Sequence, residues 1–127
     1  MAKMRVQKNY CSYLPALVKA LEMVDGDVLE LGAGLHSTMF LHWMCEQQGR
    51  LLVTYDNSKE YYDMVKHCAE DRQESGLHKI YLVDDWDKIA IEQPWGIAFV
   101  DHAPGIRRKE DIRRLANCAQ CLSLIHI

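Results

Sequence analysis

The chain has 127 residues, 49% of them hydrophobic, and 15 basic against 18 acidic residues leave a formal net charge of −3. That content suits a single domain with a sizeable core, while no stretch nears the roughly 20 apolar residues of a membrane span and Met1-Ala2-Lys3-Met4-Arg5 does not open a signal peptide. The mild negative charge gives no global pull toward nucleic acid, and five cysteines, an odd number, argue against a complete disulfide framework, so the expectation is a cytoplasmic protein with reduced thiols.

Residues 1–11 are polar and without period, and read as an N-terminal arm. Ser12 is placed to cap a helix with Pro15 in its first turn and Leu14, Leu17, Val18 and Leu21 on one face. Asp25-Gly26-Asp27 turns the chain into a first strand, Val28–Leu31, and Gly32-Ala33-Gly34 follows. Ser37 or Thr38 is expected to cap the next helix, with Phe40, Trp43 and Met44 on its apolar face and Gln48-Gly49 at its end. Leu51–Tyr55, closed by Asp56, reads as a second strand. Ser58 then caps a helix with Tyr61, Met64, Val65 and Cys68 on one face, ending near Ser75-Gly76. Ile80–Val83 is a third strand running into Asp84-Asp85-Trp86, and Ile97–Val100, closed by Asp101, is a fourth. A last helix carries Ile112, Leu115, Ala116 and Ala119, and Cys121–Ile127 reads as a fifth strand.

Apolar strands alternating with helices predict an α/β fold: a doubly wound, mainly parallel sheet of about five strands with helices on both faces, Rossmann-like, in one domain over residues 1–127. The apolar strand at the C-terminus has nothing after it to cover it. The expectation is therefore a core truncated there, whose exposed strand offers an edge for a homo-oligomer.

The chemistry gathers at the strand ends. Glu30, Asp56, Asp84 with Asp85, and Asp101 close four strands, and in a parallel sheet those ends share one ligand-binding rim. Asp also favours turns after strands, but four acids on one rim repel one another unless a cation or a set of hydroxyl donors sits among them. The glycines admit a ligand against bare backbone, and the helix behind them presents unpaired N–H groups. Asp56, at the end of the neighbouring strand, suits a pair of ribose hydroxyls. The dinucleotide fingerprint G-x-G-x-x-G fails at Ser37. An acid beside the glycines suits an ammonium better than a pyrophosphate, which favours S-adenosylmethionine.

At these residues the chain resembles the class I S-adenosylmethionine-dependent methyltransferases. Glu30-Leu31-Gly32-Ala33-Gly34 is similar to their first motif and Tyr55-Asp56-Asn57 to their second acidic strand end. Asp84-Asp85-Trp86 is similar to their adenine corner, and Phe99-Val100-Asp101-His102-Ala103-Pro104-Gly105 to the strand end bordering the methyl acceptor. The resemblance spans roughly residues 12–120. It implies that Gly32, Ala33 and Gly34 pass under the methionine part of the cofactor, with Glu30 holding its ammonium directly or through water. It further implies that Asp56 takes the ribose hydroxyls, that Asn57 lies close to the adenine, and that Asp85, or alternatively Asp84, accepts from the adenine amino group while Trp86 packs on the ring. The family's usual third glycine is His36 here.

A base is needed only where the acceptor must lose a proton, and Asp101 and His102 are the candidates. A divalent metal at Asp101 would need further oxygen ligands, and none is expected. Cys118 and Cys121 form a lone CxxC, short of the four ligands of a zinc site. Arg107, Arg108, Lys109, Arg113 and Arg114 read first as a solvated helix face, and otherwise as a receiver for an anionic acceptor, nucleic acid included. The leading reading is thus methyl transfer from S-adenosylmethionine to a small-molecule acceptor, without membrane involvement. The alternatives are a nicotinamide-dependent oxidoreductase and a non-catalytic nucleotide-binding fragment completed by a partner.

Overall fold

The computed structural model describes residues 14–70 and 76–124. The elements run α1 (Leu14–Met23), β1 (Val28–Leu31), α2 (Leu35–Gln48), β2 (Leu52–Asp56), α3 (Lys59–Glu70), β3 (His78–Leu82), a 3-10 turn (Trp86–Lys88), β4 (Trp95–Val100), α4 (Arg107–Leu115) and β5 (Ala119–Leu124). The five strands form one sheet in the order β3-β2-β1-β4-β5, and every pairing is parallel. The doubly wound α/β architecture expected from the sequence is thus present. The chain winds outward from β1 to β3, returns to place β4 on the other side of β1, and continues to β5. The order reverses between β1 and β4, and a crevice at the carboxyl ends is the ligand position in such sheets.

Strand alternation divides the core in two. Val28, Leu52, Ile97 and Phe99 face Leu17 and Leu21 of α1 and Leu41 and Cys45 of α2. Leu29, Leu31, Val53, Ala98 and Val100 face the other way, onto Trp86, Ile91 and Leu115. Each fully buried leucine in these layers contributes about 1.5–3 kcal/mol of apolar burial, so the central strand is held from both sides. The same alternation sends Glu30, two residues after Val28, and Thr54, two after Leu52, into the α1/α2 layer. Among the described residues, no helix is long and apolar enough to cross a membrane.

Several local expectations shift. The buried side of α2 is Ser37, Thr38, Leu41, His42 and Cys45, whereas Trp43, expected on its apolar face, is 46% exposed. Neither Ser37 nor Thr38 is the cap: the helix starts at Leu35 behind an extended Gly34, and both hydroxyls lie in its first turn. In α3, Val65 and Ala69 are buried while Tyr61 is exposed. Ala119, expected on the last helix, opens β5. Residues 1–11, Ser12, the helix end expected at Ser75 and residues 125–127 lie outside the described residues.

Candidate functional site

The turn after β1 is built by contacts that need glycine at one position and leave it optional at the next. Gly32 has φ +96°, and a Cβ there would collide with the Asp101 carbonyl oxygen and lie 2.7 Å from His102 N, so it seats β1 tightly against the end of β4. Ala33 donates its N–H to Asp56 Oδ2 at 2.6 Å, and Ser58 at the start of α3 donates to Asp56 Oδ1 at 2.6 Å. Asp56 therefore clasps the glycine turn to the neighbouring helix through both oxygens. Gly34 differs: its φ of −162° is ordinary extended backbone, and an added Cβ would meet only Ser37 Oγ at 3.6 Å. His36, in place of a third glycine, is exposed and leaves the start of α2 regular.

Glu30 lies beneath this turn and is fully buried. Ser37 donates to its Oε2 at 2.9 Å, and Thr38 and Thr54 donate to its Oε1 at 2.9 and 3.0 Å. Thr38 Oγ1 also accepts the Gly34 N–H at 2.9 Å, so the carboxyl holds the turn through one hydroxyl. Burial pushes Glu30 up to about 7, with the Asp101 carboxylate adding to the rise, although all three hydroxyls act to lower it. The row continues from Thr54 Oγ1 to His78 Nε2 at 2.9 Å, and from His78 Nδ1 to His42 Nδ1 at 2.9 Å. Burial and the facing His42 ring hold His78 down at about 3, against a smaller opposing pull from Glu46.

At the carboxyl ends of β2 and β3, a hollow of about 510 Å³ opens between Asn57, Lys59, Leu82, Val83 and Asp84. Two apolar side chains, an amide, an ammonium and a carboxylate line it. Of the three residues singled out after β3, only Asp84 borders this space. Asp85 instead caps the 3-10 turn, accepting the Asp87 N–H at 3.0 Å. Trp86 is a correction: it is buried in the core on the α4 face, edge-on to His102 at 4.4 Å, and its indole N–H is engaged by the Ala103 carbonyl at 3.1 Å. Asn57 Nδ2 donates to the same carbonyl at 2.9 Å, which ties the wall of the hollow to the loop after β4.

On that loop, Asp101 is partly exposed at the rim and pairs with Arg108 at 3.3 Å. His102 is the second correction. It is buried and turned away from the rim, with Nε2 donating to Asp111 Oδ2 at 2.5 Å. Asp111 also accepts from Arg107 (3.0 and 3.2 Å) and Arg114 (2.9 Å). Burial alone would push Asp111 up, but the hydrogen bonds from His102, Arg107 and Arg114 outweigh it and hold the carboxyl at about 2. Arg114 further donates to the carbonyls of Trp86 (2.8 Å) and Ile89 (2.6 Å) and to Glu92 (2.6 Å). The basic cluster thus resolves into three arginines turned inward as structural clamps, with Lys109 and Arg113 left exposed.

The structure brings Gly32, Ala33, Gly34, Asp56, Asn57, Asp84 and Asp101 along the carboxyl rim. It places Glu30 just below it and His102 and Trp86 in the core. Thr54, His78 and His42 escaped the sequence reading. The available signal was polar residues at buried spacing, with Thr38, His42 and Cys45 recurring at i, i+4 and i+7 on α2 and Thr54 standing mid-strand.

No family model matches the sequence, and no curated protein is significantly similar to it. Solved structures share the fold. An S-adenosylmethionine-dependent methyltransferase from Thiobacillus denitrificans, in complex with S-adenosyl-L-homocysteine, superposes with a TM-score of 0.62 at 22% identity over 86% of this chain and 44% of its own. One from Geobacter sulfurreducens, in complex with the same molecule, gives 0.61 at 21% identity over 91% and 51%. The chain spans about half the length of these proteins or less, and at these identities the likeness establishes a shared fold, the parallel, doubly wound α/β sheet.

Proposed function

We propose that the chain binds S-adenosylmethionine across the carboxyl ends of β1, β2, β3 and β4 and serves methyl transfer to a small-molecule acceptor. The observation that carries this reading is the hollow bounded by Asn57, Lys59, Leu82, Val83 and Asp84, whose Asn57 adjoins the acid that clasps the glycine turn. Apolar walls with a carboxylate at the edge fit a purine bearing an amino group. Gly34 fits as well: the fold itself makes no demand for glycine there, so the missing side chain leaves the backbone open to a ligand. Asp56 keeps a second lone pair on each oxygen for the ribose hydroxyls. The first N–H groups of α2 face the same rim for a carboxylate.

When bound, the donor supplies a methyl group already activated on a sulfonium, so the task of these residues is orientation. Asp101, partly exposed at the rim beside Gly32, is the carboxylate placed to meet a cation or to take an acceptor proton. His102 contributes by stiffening the loop that carries Asp101. Two solved structures of this fold holding S-adenosyl-L-homocysteine support the cofactor class.

Calorimetry with S-adenosylhomocysteine tests the reading. Wild type should bind, and Asp84→Ala and Gly34→Ala should each weaken binding at least about tenfold, roughly 1.4 kcal/mol, with unfolding midpoints near wild type. A folded wild-type sample that takes up no ligand would overturn it.

A further inference from the structure

We propose that Thr54, His78 and His42 form a buried proton relay that sets the charge of Glu30 beneath the glycine turn, and that they thereby act as positioning residues for a cationic ligand on that turn. The ligand half rests on the function proposed above; the relay itself does not. The hydrogen-bonded row is continuous from Glu30 Oε1 to Thr54 Oγ1, from Thr54 Oγ1 to His78 Nε2, and from His78 Nδ1 to His42 Nδ1. It ends at His42 Nε2, a buried ring nitrogen without a partner among the described residues.

With both rings neutral and every link of the row made, its protons have two arrangements. With Glu30 ionised, every donor points toward it: His42 Nδ1–H to His78 Nδ1, His78 Nε2–H to Thr54 Oγ1, and the Thr54 hydroxyl to Glu30 Oε1. His42 Nε2 is then a bare acceptor. A proton from solvent arriving at that nitrogen reverses the row. The Nδ1 proton of His42 passes to His78 Nδ1, the Nε2 proton of His78 to Thr54, and the Thr54 hydroxyl proton to Glu30, leaving both rings neutral. One proton has entered and Glu30 has lost its charge, with no charged imidazole held in the core. Burying a charged ring is costly, and His78 is held well below the ordinary histidine range, so the carboxyl is the end that accepts. His42 sits edge-on to the Trp43 ring at 5.3 Å, and that ring is half-exposed.

The neighbouring ionisable groups leave Glu30 as the responsive one. From the loop after β4, Asp101 raises it. From α2, Cys45 is pushed up to about 12 by burial and stays a neutral thiol, and Glu46 acts on His78. α1 brings Leu17 and Leu21 to this layer. Because Thr38 links Glu30 to the Gly34 N–H, the charge of the carboxyl reaches the turn through a single hydroxyl.

The test follows the Glu30 carboxyl by carbon-13 NMR in the full chain, with Glu30→Gln identifying its resonance. In wild type it should titrate near neutrality. Thr54→Val, which cuts the row at its first link, should raise the midpoint by about one unit. His42→Leu, which touches Glu30 nowhere, should move it by less. An unchanged midpoint in His42→Leu overturns the relay. Calorimetry with S-adenosylhomocysteine forms the second arm, where affinity should tighten several-fold from pH 6 to pH 8 in wild type and stay flat in Glu30→Gln. Absence of binding at every pH would sink the functional reading alone, and the carboxyl titration would still decide the relay.

Discussion

Glu30 and Asp111 are withdrawn from solvent to the same degree, one on each face of the sheet, yet burial leaves Glu30 at about 7 while Asp111 is held at about 2. The difference lies in their partners. Glu30 receives three neutral hydroxyls, which stabilise a carboxylate only in part. Asp111 receives an imidazole and two guanidinium groups, whose charges attract it through a medium that screens poorly. The two sets of partners therefore make a responsive group on the side of the glycine turn and a charged fastener under the loop after β4. The first is suited to answering a ligand, the second to holding a wall still.

The comparison breaks most visibly at Asp111. Asp111→Asn keeps the shape but strands two arginines against a neutral amide, and should cost on the order of 3 kcal/mol in urea unfolding at pH 7. A loss under about 0.5 kcal/mol would class the cluster with surface ion pairs. The pH dependence has a definite sign. Its folded value lies below the ordinary 3.8, so its contribution is complete above that pH and is lost as pH falls toward 2.

Glu30 runs the other way. Its folded value exceeds 4.5, so between pH 4.5 and about 7 the folded chain binds the extra proton and stability falls as pH rises. His78, lowered from 6.5 to about 3, makes stability rise with pH over an overlapping range. The two slopes nearly cancel from pH 4.5 to 6.5. Glu30→Gln removes one of them. Relative to wild type, the variant should gain about 2–3 kcal/mol of stability across that window as pH rises, read from urea midpoints at half-unit steps. A constant offset between the two proteins would mean that Glu30 does not titrate in the folded state.

The difference between the two carboxyl groups also separates what the sequence discloses from what it conceals. Strands, the glycine turn and the Asp56 strand end are local signals: the turn and Asp56 lie where the pattern predicts, and each strand begins within two residues of its expected start, with β3, β4 and β5 each starting two residues early. The buried stripe of α2 is not local: Glu30 and His78, 12 and 36 positions from His42, select Thr38 and His42 for the inside and turn Trp43 outward against the apolar period. Trp86 and His102 sit beside predicted strand ends, but their direction is decided by Asp111 and Arg114, which fold the 86–92 link onto α4. Periodicity carries no record of such partners.

Arg114 tests the fastening side at smaller scale. Arg114→Met keeps the aliphatic stem and removes five hydrogen bonds, to the Trp86 and Ile89 carbonyls, Glu92 and Asp111. Because the guanidinium is partly exposed, the loss should be about 2 kcal/mol. Amide exchange over residues 86–92 should accelerate beyond what that global loss explains. Uniform acceleration across the sheet would remove the link from Arg114's charge.

The smallest effect is the most discriminating. Ser37 supplies the one hydroxyl seen on Glu30 Oε2, and Ser37→Ala deletes it while improving helix propensity inside α2. A neutral carboxylic acid loses about 1 kcal/mol with such a bond, and a carboxylate about 1.5–3. Ser37→Ala should therefore cost under 1 kcal/mol at pH 5, where Glu30 is protonated and propensity offsets part of the loss, and about 1 kcal/mol more at pH 8.5. An equal cost at both pH values would show that the carboxyl holds one protonation state throughout. Glu30 and Asp111 would then differ in their neighbours but not in their behaviour.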